Sequence, residues 1–239
     1  MHTSRLLPEL VDLLLPGGCG GCGRAGPGWC GTCAAGAGPP RRVWLPGGPP
    51  VLAVGRYRGP LRTALLAYKE RGRRDLAAAL GGLLAAGVAD VVTPGPGTVW
   101  LVPAPSRRSA ARGRGGDHVR RLCEVLASRL VATGREVVLA PGLALAGRVR
   151  DSVGLDPAER AANLAGALRP VPRGLPPPGT AVVLVDDVVT TGATLRACRD
   201  ALAAVGVSTA AATVLCDATS GVRGGARRTG ERYARRRTA

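Results

Sequence analysis

Residues 182–194, Val-Val-Leu-Val-Asp-Asp-Val-Val-Thr-Thr-Gly-Ala-Thr, constrain the fold of this chain more than any other segment. Four consecutive apolar residues, Val182 to Val185, predict a strand buried on both faces, as in a parallel sheet. Asp186 and Asp187 follow at its carboxyl end. A turn bearing hydroxyls and glycine comes next, Thr190-Thr191-Gly192-Ala193-Thr194, and then a helical pattern through Leu195, Cys198 and Leu202. In an open α/β sheet, ligands bind just outside the carboxyl ends of the strands. There the free amides of a helix N-terminus, joined by threonine hydroxyls, can surround a phosphate dianion. Gly192 lets the backbone come close to it. Two carboxylates accept the two hydrogen bonds that a sugar diol donates. Together these residues describe a pocket for a ribose 5-phosphate. A plain turn, with its aspartates and threonines capping the next helix, explains each residue singly but not their order.

The segment resembles the phosphoribosyl pyrophosphate (PRPP) signature of type I phosphoribosyltransferases: apolar strand, Asp-Asp, two further residues, then Thr-Thr-Gly-Ala-Thr. The resemblance implies that Asp186 and Asp187 bind the ribose hydroxyls. It also implies that Thr190, Thr191, Gly192, Ala193 and Thr194 hold the 5-phosphate.

A chain of 239 residues can hold one substantial α/β core and a small appendage. With no Phe, that core has to be built from Ala, Val and Leu. The formal net charge of +17 suits a polyanion partner. Yet Lys69 is the only lysine, and an Ala, Gly, Pro and Arg surplus is what GC-rich coding produces. No segment reaches the roughly eighteen consecutive apolar residues needed to span a membrane. Glu9 and Asp12 interrupt the run from Leu6 to Leu15, which reads as an amphipathic helix rather than a signal peptide. A cytoplasmic protein with no membrane insertion is expected.

Two Cys-x-x-Cys pairs, Cys19/Cys22 and Cys30/Cys33, stand seven residues apart. Each can place two thiolates on one metal, and both together complete a tetrahedral sulfur site suited to structural zinc. Gly20, Gly21, Gly23 and Gly31 permit turns that aim backbone amides at the sulfurs. Two disulfides or a redox-active pair are the rival readings; the first fits a cytoplasmic protein poorly, and the second needs no matching pair. Cys123, Cys198 and Cys216 fall in helix, helix and strand patterns and are expected to be buried.

Residues 34–50, rich in Gly and Pro, read as a linker. Val51 to Arg58 suggests a strand pair, Leu61–Lys69 and Leu76–Val88 helices, and Thr98–Val102 a second apolar strand. The expected organisation is an N-terminal helix and zinc module in 1–40, a main domain in 51–217 and a disordered basic tail in 218–239. The fold class expected is α/β, a mostly parallel twisted sheet flanked by helices.

A second anion site is sought after the Thr98–Val102 strand, where Pro103-Ala104-Pro105-Ser106-Arg107-Arg108 leads to Arg112, Gly113 and Arg114. Proline stiffens this turn, glycine frees the loop, and arginine forks match phosphate oxygens. A solvated basic loop is the plainer alternative. These pieces in this order resemble the ComF/GntX family of phosphoribosyltransferase-like proteins, over about Leu6 to Asp217. Pro103-Ala104-Pro105 matches its Pro-x-Pro. Leu155, Arg160 and Asn163 match its Leu-x-x-x-x-Arg-x-x-Asn. Where that family commonly has Arg-Gly-Phe-Asn-Gln, this chain reads Arg114-Gly115-Gly116-Asp117-His118, and Ser152 replaces a usual Gln. Asp117 reads as a helix N-cap, and His118 as an exposed first-turn residue rather than an acid–base group.

The resemblance implies PRPP binding with Mg²⁺ and transfer of the ribosyl group to an acceptor it does not identify, with release of pyrophosphate. Asp186, Asp187, Arg112 and Arg114 would be catalytic, while Arg107, Arg108 and Lys69 would bind pyrophosphate. The rival is a non-catalytic module, handling phosphate or single-stranded DNA in DNA uptake (competence), as the likeness to ComF implies.

Overall fold

The computed structural model describes residues 18–26, 28–88, 97–106, 117–145 and 166–219. The helix expected at Leu6–Leu15, the loop arginines Arg107, Arg108, Arg112 and Arg114, the Leu155, Arg160 and Asn163 motif, and the tail from residue 220 lie outside these. The described residues form a mixed α/β structure with a six-stranded, mostly parallel sheet flanked by helices.

The sheet contains β1 (Arg41–Val43), β2 (Val51–Arg56), β3 (Val99–Pro103), β4 (Val137–Leu139), β7 (Ala181–Val189) and β8 (Ser208–Asp217), in the order β1-β2-β8-β7-β3-β4. All neighbours are parallel except the edge pair β1 and β2. A short antiparallel ribbon, β5 (Leu143–Leu145) with β6 (Leu168–Pro170), stands apart from it. Helices α1 (Gly31–Gly36), α2 (Gly59–Glu70), α3 (Ala77–Val88), α4 (His118–Val131) and α5 (Ala193–Ala203) complete the described elements, with 3-10 turns at Arg74–Leu76 and Pro172–Gly174.

Two apolar layers sandwich the sheet. Val183, Val185, Leu101 and Leu215 turn toward α2, α3 and α4 and meet Leu65, Leu80, Leu84, Leu122 and Leu126. Val182, Leu184, Val102 and Val214 turn the other way, toward Leu195, Cys198 and Leu202 of α5. Alternating side chains thus bury a strand that reads as a continuous apolar run. The core is the Ala, Val and Leu core that a chain without Phe requires. Cys123, Cys198 and Cys216 are all wholly buried within it. The helices expected near 61–69 and 76–88 correspond to α2 and α3.

Two expectations need correction. The carboxylates do not follow a four-residue strand: β7 runs nine residues, because the ten-residue β8 keeps pairing beyond Val185, with Asp186 opposite Val214 and Val189 opposite Asp217. Residues 34–50 are not a simple linker. Arg41–Val43 pairs with β2, and the Gly47-Gly48-Pro49-Pro50 segment makes the connection between the two strands. The strand pair sought within 51–58 is therefore one strand, whose partner lies upstream.

Candidate functional site

Parallel strands bring the carboxyl ends of β2, β8, β7 and β3 to one edge, with β7 near the centre. At that edge β7 runs into Thr190 and Thr191, both exposed, and then into Gly192, which caps α5. Gly192 has φ +76° and is buried under Leu45. A Cβ there would lie 2.6 Å from Leu45 Cδ1, so both conformation and space demand glycine. The Ala193 amide donates to Thr191 Oγ1 at 3.4 Å, and Thr194 is half-buried in the first turn. The open amides and hydroxyls of this turn suit a phosphate at a helix N-terminus. Arg196, which sequence reasoning passed over, folds back from α5 and donates to the Thr191 carbonyl at 2.9 Å. Its position four residues after the capping glycine, one turn into the helix, was the available signal.

Asp186 and Asp187 are both buried. The Asp187 amide donates to the Asp186 carboxylate at 2.8 Å. Burial, followed by the neighbouring charge of Asp187, pushes the Asp186 carboxyl up to about 8. Burial acts in the same sense on Asp187, but the His118 hydrogen bond and the Lys69 charge outweigh it and hold that carboxyl below the usual range. The two adjacent acids are thus driven apart, one toward the proton and one toward the anion.

One oxygen, Asp187 Oδ2, lies 2.6 Å from Lys69 Nζ and 2.6 Å from His118 Nε2. Lys69 arrives from the last turn of α2, and His118 from the first turn of α4. Here the reading of His118 as exposed is overturned, since it is only 7% exposed. It stands four residues before Leu122 and eight before Leu126, so it shares their buried stripe. Asp117 caps α4 as expected, accepting from the amides of Val119 and Arg120. Tyr68 Oη donates to the His118 carbonyl at 2.9 Å, tying α2 to α4 beside the site.

The loop after β3 begins at the same edge. The Ala104 amide donates to the Val185 carbonyl at 2.8 Å, setting Pro103-Ala104-Pro105-Ser106 alongside β7. Ser106 Oγ is buried with no hydrogen-bond partner among the described residues, a donor that suits an anionic oxygen.

The four cysteines of the N-terminal pairs converge. Their sulfurs all lie within 4.8 Å of one another, with Cys19 to Cys33 at 3.6 Å and Cys22 to Cys30 at 3.7 Å. Zn–S bonds of about 2.3 Å in a tetrahedron need sulfurs about 3.8 Å apart. The set fits a structural zinc site, and all four cysteines are free thiols. Burial alone would raise the Cys19 thiol, yet backbone amides of Cys22, Cys30 and Gly21 aim at its sulfur and lower it to about 6. Burial and the neighbouring sulfurs push Cys33 up. With four protein ligands a metal held there would have no open position for catalysis.

Of the residues expected to act together, the structure brings Asp186, Asp187, Lys69 and the Thr190–Thr194 turn to one edge, and the cysteines to another centre. Among the described residues, no helix is long and apolar enough to cross a membrane. Residues 126–224 match the family model of the phosphoribosyl transferase domain, a span that contains β7, its carboxylates and the Thr190–Thr194 turn. No curated protein matches the chain.

Proposed function

We propose that this protein binds PRPP with Mg²⁺ and transfers its ribosyl 5-phosphate group to an acceptor, releasing pyrophosphate. The observation that carries this reading is the buried Asp186-Asp187 pair running directly into the open Thr190–Thr194 turn, within a span that matches a phosphoribosyl transferase domain. The turn would take the 5-phosphate, with Arg196 beside it. Asp187, kept ionised by Lys69 and His118, would accept from a ribose hydroxyl and orient the sugar. As the bond from C1 to the pyrophosphate oxygen breaks, positive charge grows on the ring, and a fixed carboxylate beneath it stabilises that charge. The ionised Asp187 is a hard oxygen donor of the kind that fits Mg²⁺. Bound with substrate, the ion would supply positive charge to the departing pyrophosphate. Ser106, and Arg107, Arg108, Arg112 and Arg114 beyond it, would serve the same leaving group.

The test is calorimetric titration with PRPP and Mg²⁺, followed by a pyrophosphate-release screen over candidate acceptors. Replacing Asp186 and Asp187 by Asn keeps shape and weakens the bonds to the diol. Loss of a charge-assisted hydrogen bond is worth about 1.5–3 kcal/mol, so PRPP affinity should fall on the order of tenfold or more. Unchanged affinity in the double variant would refute the assignment.

A further inference from the structure

A cavity of about 240 Å³ opens at the other end of α2 from Lys69, walled by Gly36 at the end of α1 and Ala37–Pro39 beyond it, by Arg41 of β1, by Gly55 and Arg56 at the end of β2, and by Arg58 in the turn before α2. Gly59 and Lys69 are ten residues apart, so at 1.5 Å per residue this cavity lies roughly 15 Å from the Asp187 site. Three guanidinium-bearing residues from two strands and the following turn line it, and among the described residues no carboxylate does. The acid paired with Arg41, Asp217, is buried and only 4% exposed. It holds Arg41 at 3.5 Å while its other oxygen accepts from the Thr219 amide and hydroxyl. Arg41 is thus fixed in place by a carboxylate outside the cavity. The first turn of α2 adds the positive end of a twelve-residue helix.

We infer that this cavity is a second anion site, taking the phosphate or diphosphate group of a small ligand. A scattered surface arginine lacks this arrangement of concavity, convergence of separate elements and a dedicated orienting carboxylate. The chemistry wanted is a compact anion with several acceptor oxygens, since arginine forks match phosphate oxygens. The volume lies below the 300–1,000 Å³ of pockets that engulf drug-sized ligands, so it suits a phosphate or diphosphate group rather than a whole nucleotide. The nearby aromatic, Tyr57, has Arg62 over its ring at 5.4 Å, so that face is not offered to a stacking base.

The experiment uses full-length wild-type protein, without Mg²⁺, and inorganic pyrophosphate as probe. Arginines are modified with phenylglyoxal and each site is followed by mass spectrometry. Pyrophosphate should slow modification of Arg56 and Arg58 severalfold more than chloride at equal ionic strength. Arg58→Ala, an exposed residue whose side chain makes no cap bond, should weaken pyrophosphate binding at this site on the order of tenfold and leave PRPP affinity unchanged. That last readout separates failure here from failure of the PRPP assignment. Protection by chloride equal to that by pyrophosphate overturns the inference, as does unchanged binding in Arg58→Ala. Protection of these arginines by a thymidine oligonucleotide at a lower phosphate concentration than pyrophosphate requires also overturns it, in favour of a nucleic-acid surface.

Discussion

Asp186 and Asp187 are neighbours in sequence with opposite proton affinities, and this follows from which groups reach them. Lys69 and His118 both bond Asp187, whereas the backbone bond to Asp186 comes from the amide of Asp187. The Asp186 carboxyl, raised to about 8 by burial and by its neighbour, contributes stability that is full below the unfolded carboxylate value near 4. That stability is lost as pH rises to about 8. Asp187, whose carboxyl is depressed, has the opposite sign, its contribution being lost in acid. Asp186→Asn should therefore gain thermal stability relative to wild type between pH 5 and pH 9, by an amount growing to a few kcal/mol. Melting curves of both proteins across that range check it, and a constant difference would contradict it. The aspartates, the threonines and Lys69 were legible in sequence because motif order or rarity singled them out. His118 was not, because a first-turn polar residue reads as solvated until the helix is known to turn that face inward.

At the scale of elements, one contact does much to shape the Thr190–Thr194 turn: Leu45, from the stretch between β1 and β2, covers Gly192. The Arg199 guanidinium also donates to the Gly47 carbonyl, holding the same stretch against α5. Gly192→Ala would carry a left-handed penalty of about 1–2 kcal/mol, and its methyl would push Leu45 away. We expect a lower melting temperature and a fall in PRPP affinity of on the order of tenfold or more, read by thermal unfolding and by calorimetry. Retained affinity would mean that the turn does not hold the phosphate. Periodicity made the helices and buried strands readable, since long apolar patterns leave few alternatives. It failed at Arg41–Val43, where Gly and Pro on both sides signal a break whether they serve as a linker or as a hairpin connection. It also placed the end of β7 too early, because two charged residues look like a boundary unless the length of β8 is known.

For the whole molecule, the cysteine module is packed on the sheet domain. Cys33 is buried, and Trp29 packs against the α2–α4 side of the core. A Cβ on Gly21 would lie 2.9 Å from Pro60 Cβ, and one on Gly20 2.6 Å from Leu76 Cδ1. The Arg73 guanidinium donates to the Gly18 carbonyl at 3.1 Å. Purified protein should carry about one zinc per chain. Cys19→Ser should release it and lower the melting temperature, as measured by elemental analysis and calorimetric unfolding. No zinc, with four thiols freely titratable in the native state, would contradict the site. Cysteine spacing alone made this centre readable; its docking was not, since contacts between distant segments leave no local pattern. Helix α2 joins the two centres: Pro60 at its start abuts the cysteine module, and Lys69 near its end grips Asp187. Thermodynamic reciprocity then applies to that helix. If the cysteines hold a metal and Asp187 a sugar, then by whatever factor the metal tightens the grip on the sugar, the sugar must tighten the grip on the metal by the same factor. With such a coupling, resistance to a chelator would gauge occupancy at the far end of the helix.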